Sequence, residues 1–147
     1  MENLASRQIE TLLARYAESH RHPQNEVIHF ICIPAIVFSL LGLLWVAHPL
    51  VAVVVTAASL IYYLTLSVPF ALGMLVMAGL MLWVLSLLPQ QHVFAVSLAV
   101  FVVAWIGQFV GHKIEGKKPS FFDDLRFLLI GPLFVLGFLY RRLGIAY

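Results

Sequence analysis

The chain has 147 residues, of which 62% are hydrophobic, against roughly 45–50% apolar usage in a soluble domain. All nine basic and seven acidic side chains fall in two blocks, Glu2 to Glu26 and Lys113 to Arg142, so no Asp, Glu, Lys or Arg occurs between Val27 and His112. A soluble core does not explain that gap, and a net charge of +2 is too small to argue for a nucleic-acid partner, so the composition predicts an all-α integral membrane helical bundle.

In the first block Ile9, Leu12, Leu13 and Tyr16 recur at helical spacing among charged neighbours, which predicts an amphipathic surface helix within residues 1–24. Acidic as well as basic residues precede the first apolar run, unlike a secretory signal peptide, so that run is expected to stay in the mature protein. Pro23 ends the first helix, and Asn25 with Glu26 suits the start of the next. The uncharged stretch holds about four spans of about 20 residues each. His48-Pro49, Ser67-Val68-Pro69 and Pro89-Gln90-Gln91-His92 divide it, giving spans near 27–47, 50–67, 69–88 and 92–111. Cys32, the single cysteine, reads as a packed residue of the first span. Residues 112–147 form a loop and a C-terminal helical segment, with Ser120 and Asp123 resembling a capping box. The apolar run from Phe127 to Tyr140, interrupted by Gly131-Pro132, suits a re-entrant or interfacial helix better than a fifth span. The whole chain reads as a single membrane domain.

Four crossings put both charged blocks on one side. Arg7, Arg15, Arg21, Lys113, Lys117, Lys118 and Arg126 sit in short flanks while the far loops carry no charge, so both termini are expected in the cytoplasm. Trp45 and Trp83 then mark the far interface, with Tyr62 and Tyr63 at the near one.

Chemistry is sought among six histidines. His48 and His92 fall at the far loops, whereas His20, His22, His29 and His112 gather at the near side beside Glu115. A continuous helix turns about 100° per residue and would put His20 and His29 on opposite faces, so a shared metal requires the break at Pro23. Gln108, His112 and Glu115 follow i, i+4 and i+7 spacing on one face. Interfacial histidines also serve as headgroup contacts or packing residues, and this spacing alone leaves both readings open. No His-Glu-x-x-His helix, Gly-x-Ser-x-Gly elbow or phosphate-binding glycine loop is present.

Tyr16, His20, Pro23, Asn25, His29 and Pro34, followed by Gln108-Phe109-Val110-Gly111-His112, Glu115, Pro119, Asp124-Leu125 and Gly131-Pro132-Leu133-Phe134-Val135, resemble the Mpo1-like family of 2-hydroxy fatty acid dioxygenases. The resemblance implies an iron(II)-dependent enzyme of fatty acid α-oxidation, which uses dioxygen to shorten a long-chain 2-hydroxy fatty acid by one carbon. Fungal relatives serve breakdown of a sphingoid base at the endoplasmic reticulum; a bacterial chain would lie in the inner membrane. By the same resemblance His20, His29 and His112 are the iron ligands, Glu115 is a further ligand or orients an imidazole, and His22 is a ligand or a neighbour. Tyr16 and Gln108 either hydrogen-bond around the site or serve as ordinary interfacial packing residues. Lys117, Lys118 and Arg126, with Lys113, can attract the substrate carboxylate, though such residues also serve as positive-inside and headgroup contacts. Gly137 stands where the family motif carries an acidic residue, leaving the C-terminal segment a packing role. Other classes remain open at this point: a small transporter, a membrane scaffold, or a zinc-dependent lipid hydrolase. The oligomeric state is not legible.

Overall fold

Residues 4–116 and 127–147 are described by the computed structural model, and among them every regular element is a helix. These are α1 (Leu4–Ala17), α2 (Pro23–Ala47), α3 (Pro49–Leu66), α4 (Val68–Leu87), α5 (Gln90–Glu115) and α6 (Gly131–Leu143). Helices α2 to α5, of 25, 18, 20 and 26 residues, are long and apolar enough to cross a membrane. A rise of about 1.5 Å per residue makes even the shortest about 27 Å long, close to the hydrocarbon thickness of a bilayer.

Proline and a single extended residue make the turns from α2 to α3 and from α3 to α4, while Leu88 and Pro89 together link α4 to α5. His48 has φ −169° and ψ 137°, donates its N–H to Leu44 O, and accepts the Leu50 N–H on Nδ1 at 3.0 Å. Ser67 repeats the arrangement between α3 and α4, donating to Tyr63 O while its hydroxyl accepts from Phe70 N–H. Pro49 begins α3, and Pro69 is the second residue of α4, where a missing N–H costs no helical bond. The expected division points are therefore the observed ones, but the helices run further than the apolar stretches. α2 begins at Pro23 rather than near 27, and α5 continues to Glu115 rather than 111. At that end Gly116, with φ 79°, supplies the left-handed cap and donates to His112 O and Lys113 O.

α2 is the central helix, touching α3, α4, α5 and α6, and its antiparallel pairing with α5 is the most extensive in the molecule. Small residues let these backbones close in. A Cβ on Gly42 would overlap Ser97 Oγ, one on Gly107 would lie 2.6 Å from Cys32 Sγ, and one on Gly111 would overlap Asn25 Oδ1. Gly107-x3-Gly111 is thus a small-xxx-small seam that draws the end of α5 onto the start of α2. Outward faces of α3 and α4 expose Val54, Leu72, Leu75, Val76 and Leu80, an apolar surface suited to hydrocarbon rather than water.

The flanking helices close one end of the bundle. α1 turns Ile9 and Tyr16 inward; Ile9 joins Tyr63, Leu66, Phe70 and Leu133 in one cluster, so this apolar stripe is covered by protein. α6 has 13 residues and a length of about 20 Å, too short to span, and packs on α1, α2 and α4. Gly137 lies against Phe70 in that packing.

One local expectation changes. Asn25 is not the cap of α2; His22 is, accepting the Gln24 N–H on Nδ1 at 3.2 Å, and Asn25 lies fully buried in the first turn. Tyr63, in the last turn of α3, faces the protein rather than lipid: it is buried and donates its hydroxyl to Leu129 O at 2.8 Å. The proposed capping box of Ser120 and Asp123 lies outside the described residues, as do Lys117, Lys118 and Arg126.

Candidate metal centre

Where α1 ends, α2 begins and α5 ends, three histidines meet. His20 follows the last turn of α1, His29 sits in the second turn of α2, and His112 lies in the last turn of α5. The break between Ala17 and Pro23, where α1 ends earlier than expected and Pro23 starts α2, lets the first two face one point, with ring centroids of His20 and His29 at 4.1 Å and of His29 and His112 at 5.1 Å. All three are buried, and one ring nitrogen of each lies within 4.8 Å of the others. Tetrahedral ligands about 2.1 Å from a metal would stand about 3.4 Å apart, so small side-chain rotations suffice to close the set.

The backbone fixes which nitrogen is presented. His20 Nδ1 lies 2.6 Å from Tyr16 O, and His29 Nδ1 lies 2.8 Å from Asn25 O. A carbonyl oxygen can only accept, so Nδ1 carries the hydrogen in both rings, leaving the Nε2 lone pair as donor to a metal. His29 Nε2 is buried and has no hydrogen-bond partner among the described residues. An unmet buried acceptor costs about 1–3 kcal/mol, and a cation placed among the imidazoles would satisfy it. The donor set therefore fits a transition metal, with imidazole suiting iron, zinc or copper alike.

Tyr16 supports His20 twice, through its carbonyl and through a stacked ring at 4.2 Å and 5°. Phe134 of α6 packs on both rings, 5.0 Å from Tyr16 and 5.9 Å from His20, and adds apolar surface beside the cluster. Gln108 is buried one turn before His112, and its Oε1 has no hydrogen-bond partner among the described residues.

Glu115 is engaged elsewhere than with the imidazoles. Its Oε1 accepts from Arg21 N–H at 3.0 Å, and its Oε2 accepts from His22 N–H at 2.8 Å and from Asn25 Nδ2 at 3.0 Å. Asn25 Nδ2 also donates to Ser19 O at 3.1 Å. The carboxylate and the amide thereby tie the turn carrying His20 to the ends of α2 and α5. His22 is exposed and turned to its capping bond, so it stands beside the three-histidine cluster without joining it. Lys113 is exposed at the rim. Asn25, Phe134 and Gly111 were missed as site residues by sequence reasoning. The available signal was that all three stand in the motifs that carry the family resemblance, with Asn25 one turn before His29 and Gly111 directly before His112.

Glu115→Gln replaces one acceptor oxygen with a donor facing backbone N–H groups. Metal affinity is expected to fall about 10–100-fold, with the fold and some bound metal retained. Metal titration of the purified variant checks this; unchanged affinity would dissociate the clamp from the centre.

A family model described as "2-hydroxy-palmitic acid dioxygenase Mpo1-like" matches residues 6–143. The 2-hydroxy-palmitic acid dioxygenase MPO1 of Saccharomyces cerevisiae is 33% identical over 143 residues, covering 90% of this chain and 79% of the yeast protein. No solved structure matches.

Proposed function

The chain belongs to the Mpo1-like family, and on that premise we propose that it is an iron(II)-dependent 2-hydroxy fatty acid dioxygenase, shortening its substrate by one carbon. The observation that carries this reading is the buried convergence of His20, His29 and His112 at one end of an apolar helical bundle. Iron(II) held there would supply a coordination site for the substrate carboxylate and 2-hydroxyl and the redox chemistry that lets them react with dioxygen.

The reaction balances without an external reductant. Cleavage of the C1–C2 bond oxidises C2 from alcohol to carboxyl and releases C1 as carbon dioxide; the four electrons reduce one dioxygen, one of its oxygens entering the acid and one the carbon dioxide, while a substrate oxygen leaves with two protons as water. Around that chemistry the protein holds the site. The Tyr16 and Asn25 carbonyls fix the His20 and His29 rings, Glu115 and Asn25 hold the intervening turn, and Tyr16 and Phe134 add apolar surface beside the cluster. Gln108 offers an unmet carbonyl oxygen beside the centre for a substrate hydroxyl. Each buried methylene contributes about 0.8 kcal/mol, so a long acyl chain binds without a polar pocket. Lys113, exposed at the rim, would help draw the carboxylate to the centre.

Metal analysis of detergent-purified protein tests the assignment. Stoichiometric iron is expected; zinc alone would favour hydrolysis, and no metal would favour a scaffold or transporter. Transport is already disfavoured, since such proteins place ionisable groups at membrane depth and none of Asp, Glu, Lys or Arg lies between Val27 and His112.

The basic flanks support a reading in which the histidine end faces the cytoplasm. In a Cys32→Ser background, labels at Gln8→Cys and Ala146→Cys should react only from the cytoplasm, and at Gln91→Cys only from the other side. Labelling of the two termini from opposite sides would remove the four-span arrangement.

A further inference from the structure

A cavity of about 310 Å³ lies between α2, α3 and α4, on the side of the segment 127–132 facing away from Tyr16. Val37, Leu41 and Leu44 of α2, Met74 and Ala78 of α4, and Leu129 represent its lining. Three polar side chains also reach it, and each is already hydrogen-bonded within the protein. Thr56 donates to Ala52 O, Ser59 to Val55 O and Tyr63 to Leu129 O. The lining thus offers no polar side chain in search of a partner, so water gains little there while hydrocarbon gains burial.

Its position relates it to the histidines. His29, Ile33 and Val37 follow i, i+4 and i+8 spacing, successive turns of one face of α2. His29 belongs to the metal centre and Val37 to the cavity. Between them Ile33 meets Gly131, where an added Cβ would lie 3.1 Å from both Ile33 Cδ1 and the Tyr16 hydroxyl oxygen. Gly131 and Ile33, packed closely together, therefore stand between centre and cavity, so a chain joining the two must displace the Ile33 side chain, and the neighbouring Pro132 lines the cavity. Along α2 the cavity begins about 12 Å and ends about 22 Å beyond His29, at about 1.5 Å per residue. One leaflet's acyl chain spans about 15 Å, so a chain anchored by its carboxyl group at the histidines would enter the near part of the cavity, and only a longer or more extended chain would reach its far end.

We infer that this cavity is the chamber for the distal part of the substrate's acyl chain, threaded past Ile33 and Gly131. This rests on the reading of the three histidines as the place where the carboxyl end binds. It adds a chain-length ruler, because Thr56 and Ala78 lie toward the deep end. Enlarging either should exclude terminal methylenes, each worth about fourfold in affinity.

The test is binding without turnover. Anaerobic, iron-loaded protein in detergent is photolabelled with 2-hydroxypalmitate carrying a diazirine near its methyl end, and adducts are mapped by mass spectrometry. Adducts are expected on the lining at Thr56, Ser59 and Ala78, competed by 2-hydroxypalmitate but not by phospholipid. Adducts on the outward face at Leu72, Leu75 and Leu80, or equal competition by phospholipid, would overturn the inference, as would absence of labelling. In parallel, Ala78→Leu and Thr56→Leu should weaken 2-hydroxypalmitate binding by tenfold or more and leave 2-hydroxydecanoate binding unchanged. Equal effects on both lengths would also overturn it. Specific labelling of the chamber in a protein that never oxidises the bound acid would leave the chamber standing and remove the dioxygenase reading.

Discussion

His29→Ala and His112→Ala are each expected to abolish turnover and most bound iron while leaving the helical bundle folded. A mononuclear centre with three imidazoles that loses one has neither the donors nor the geometry to hold iron(II). His29 is 1% exposed, so its truncation removes a donor that solvent cannot easily replace. Most helix packing lies away from this end, in seams such as Gly42 against Ser97 and the Leu41, Leu85 and Val93 cluster, so far-ultraviolet circular dichroism should stay unchanged. His48→Ala and His92→Ala are the matched controls at the opposite end. His48 caps α3 and its loss should cost about 1 kcal/mol of stability, without loss of iron or turnover. Iron retained by His29→Ala but lost by His92→Ala would put the centre at the wrong end of the bundle.

Palmitate, which lacks the 2-hydroxyl, should be turned over at least about 100-fold more slowly than 2-hydroxypalmitate. Two effects act together. A site that engages a substrate hydroxyl leaves its partners unmet when the hydroxyl is missing, a penalty that reaches 10⁴–10⁵ in rate discrimination. The electron count also fails: C2 of palmitate is two electrons more reduced, so one-carbon shortening would release six electrons where one dioxygen accepts four. Product analysis with both acids at matched concentration checks this, and equal turnover would contradict the proposed chemistry.

How far the sequence carried these conclusions depended on the range of the forces involved. The absence of charge from Val27 to His112 marks membrane depth, a property of composition, so the four long helices were legible. Helix ends were less so, because α2 and α5 continue beyond the apolar stretch until Pro23 and the left-handed Gly116 stop them. The same extension carries His112 and Glu115 on one continuous helix. The need for a break between His20 and His29 followed from helical pitch, and the structure has it between Ala17 and Pro23. What sequence pattern could not reveal are contacts between distant segments. Asn25 and Glu115, 90 residues apart, bond only once α2 and α5 pair, and Phe134 meets Tyr16 only when α6 folds back on α1. The role of Asn25 was misread for this reason: its local preference suits a cap, but tertiary partners hold it inside the helix.

The most direct test of the account is a single-turnover experiment on the wild-type protein. Purified protein loaded anaerobically with iron(II) is mixed with 2-hydroxypalmitate, sampled, and then exposed to oxygen labelled with oxygen-18. The account predicts no product before oxygen and, afterwards, pentadecanoic acid carrying one labelled oxygen in its carboxyl group. Shortening before oxygen is admitted, or pentadecanoic acid without the label, would contradict it.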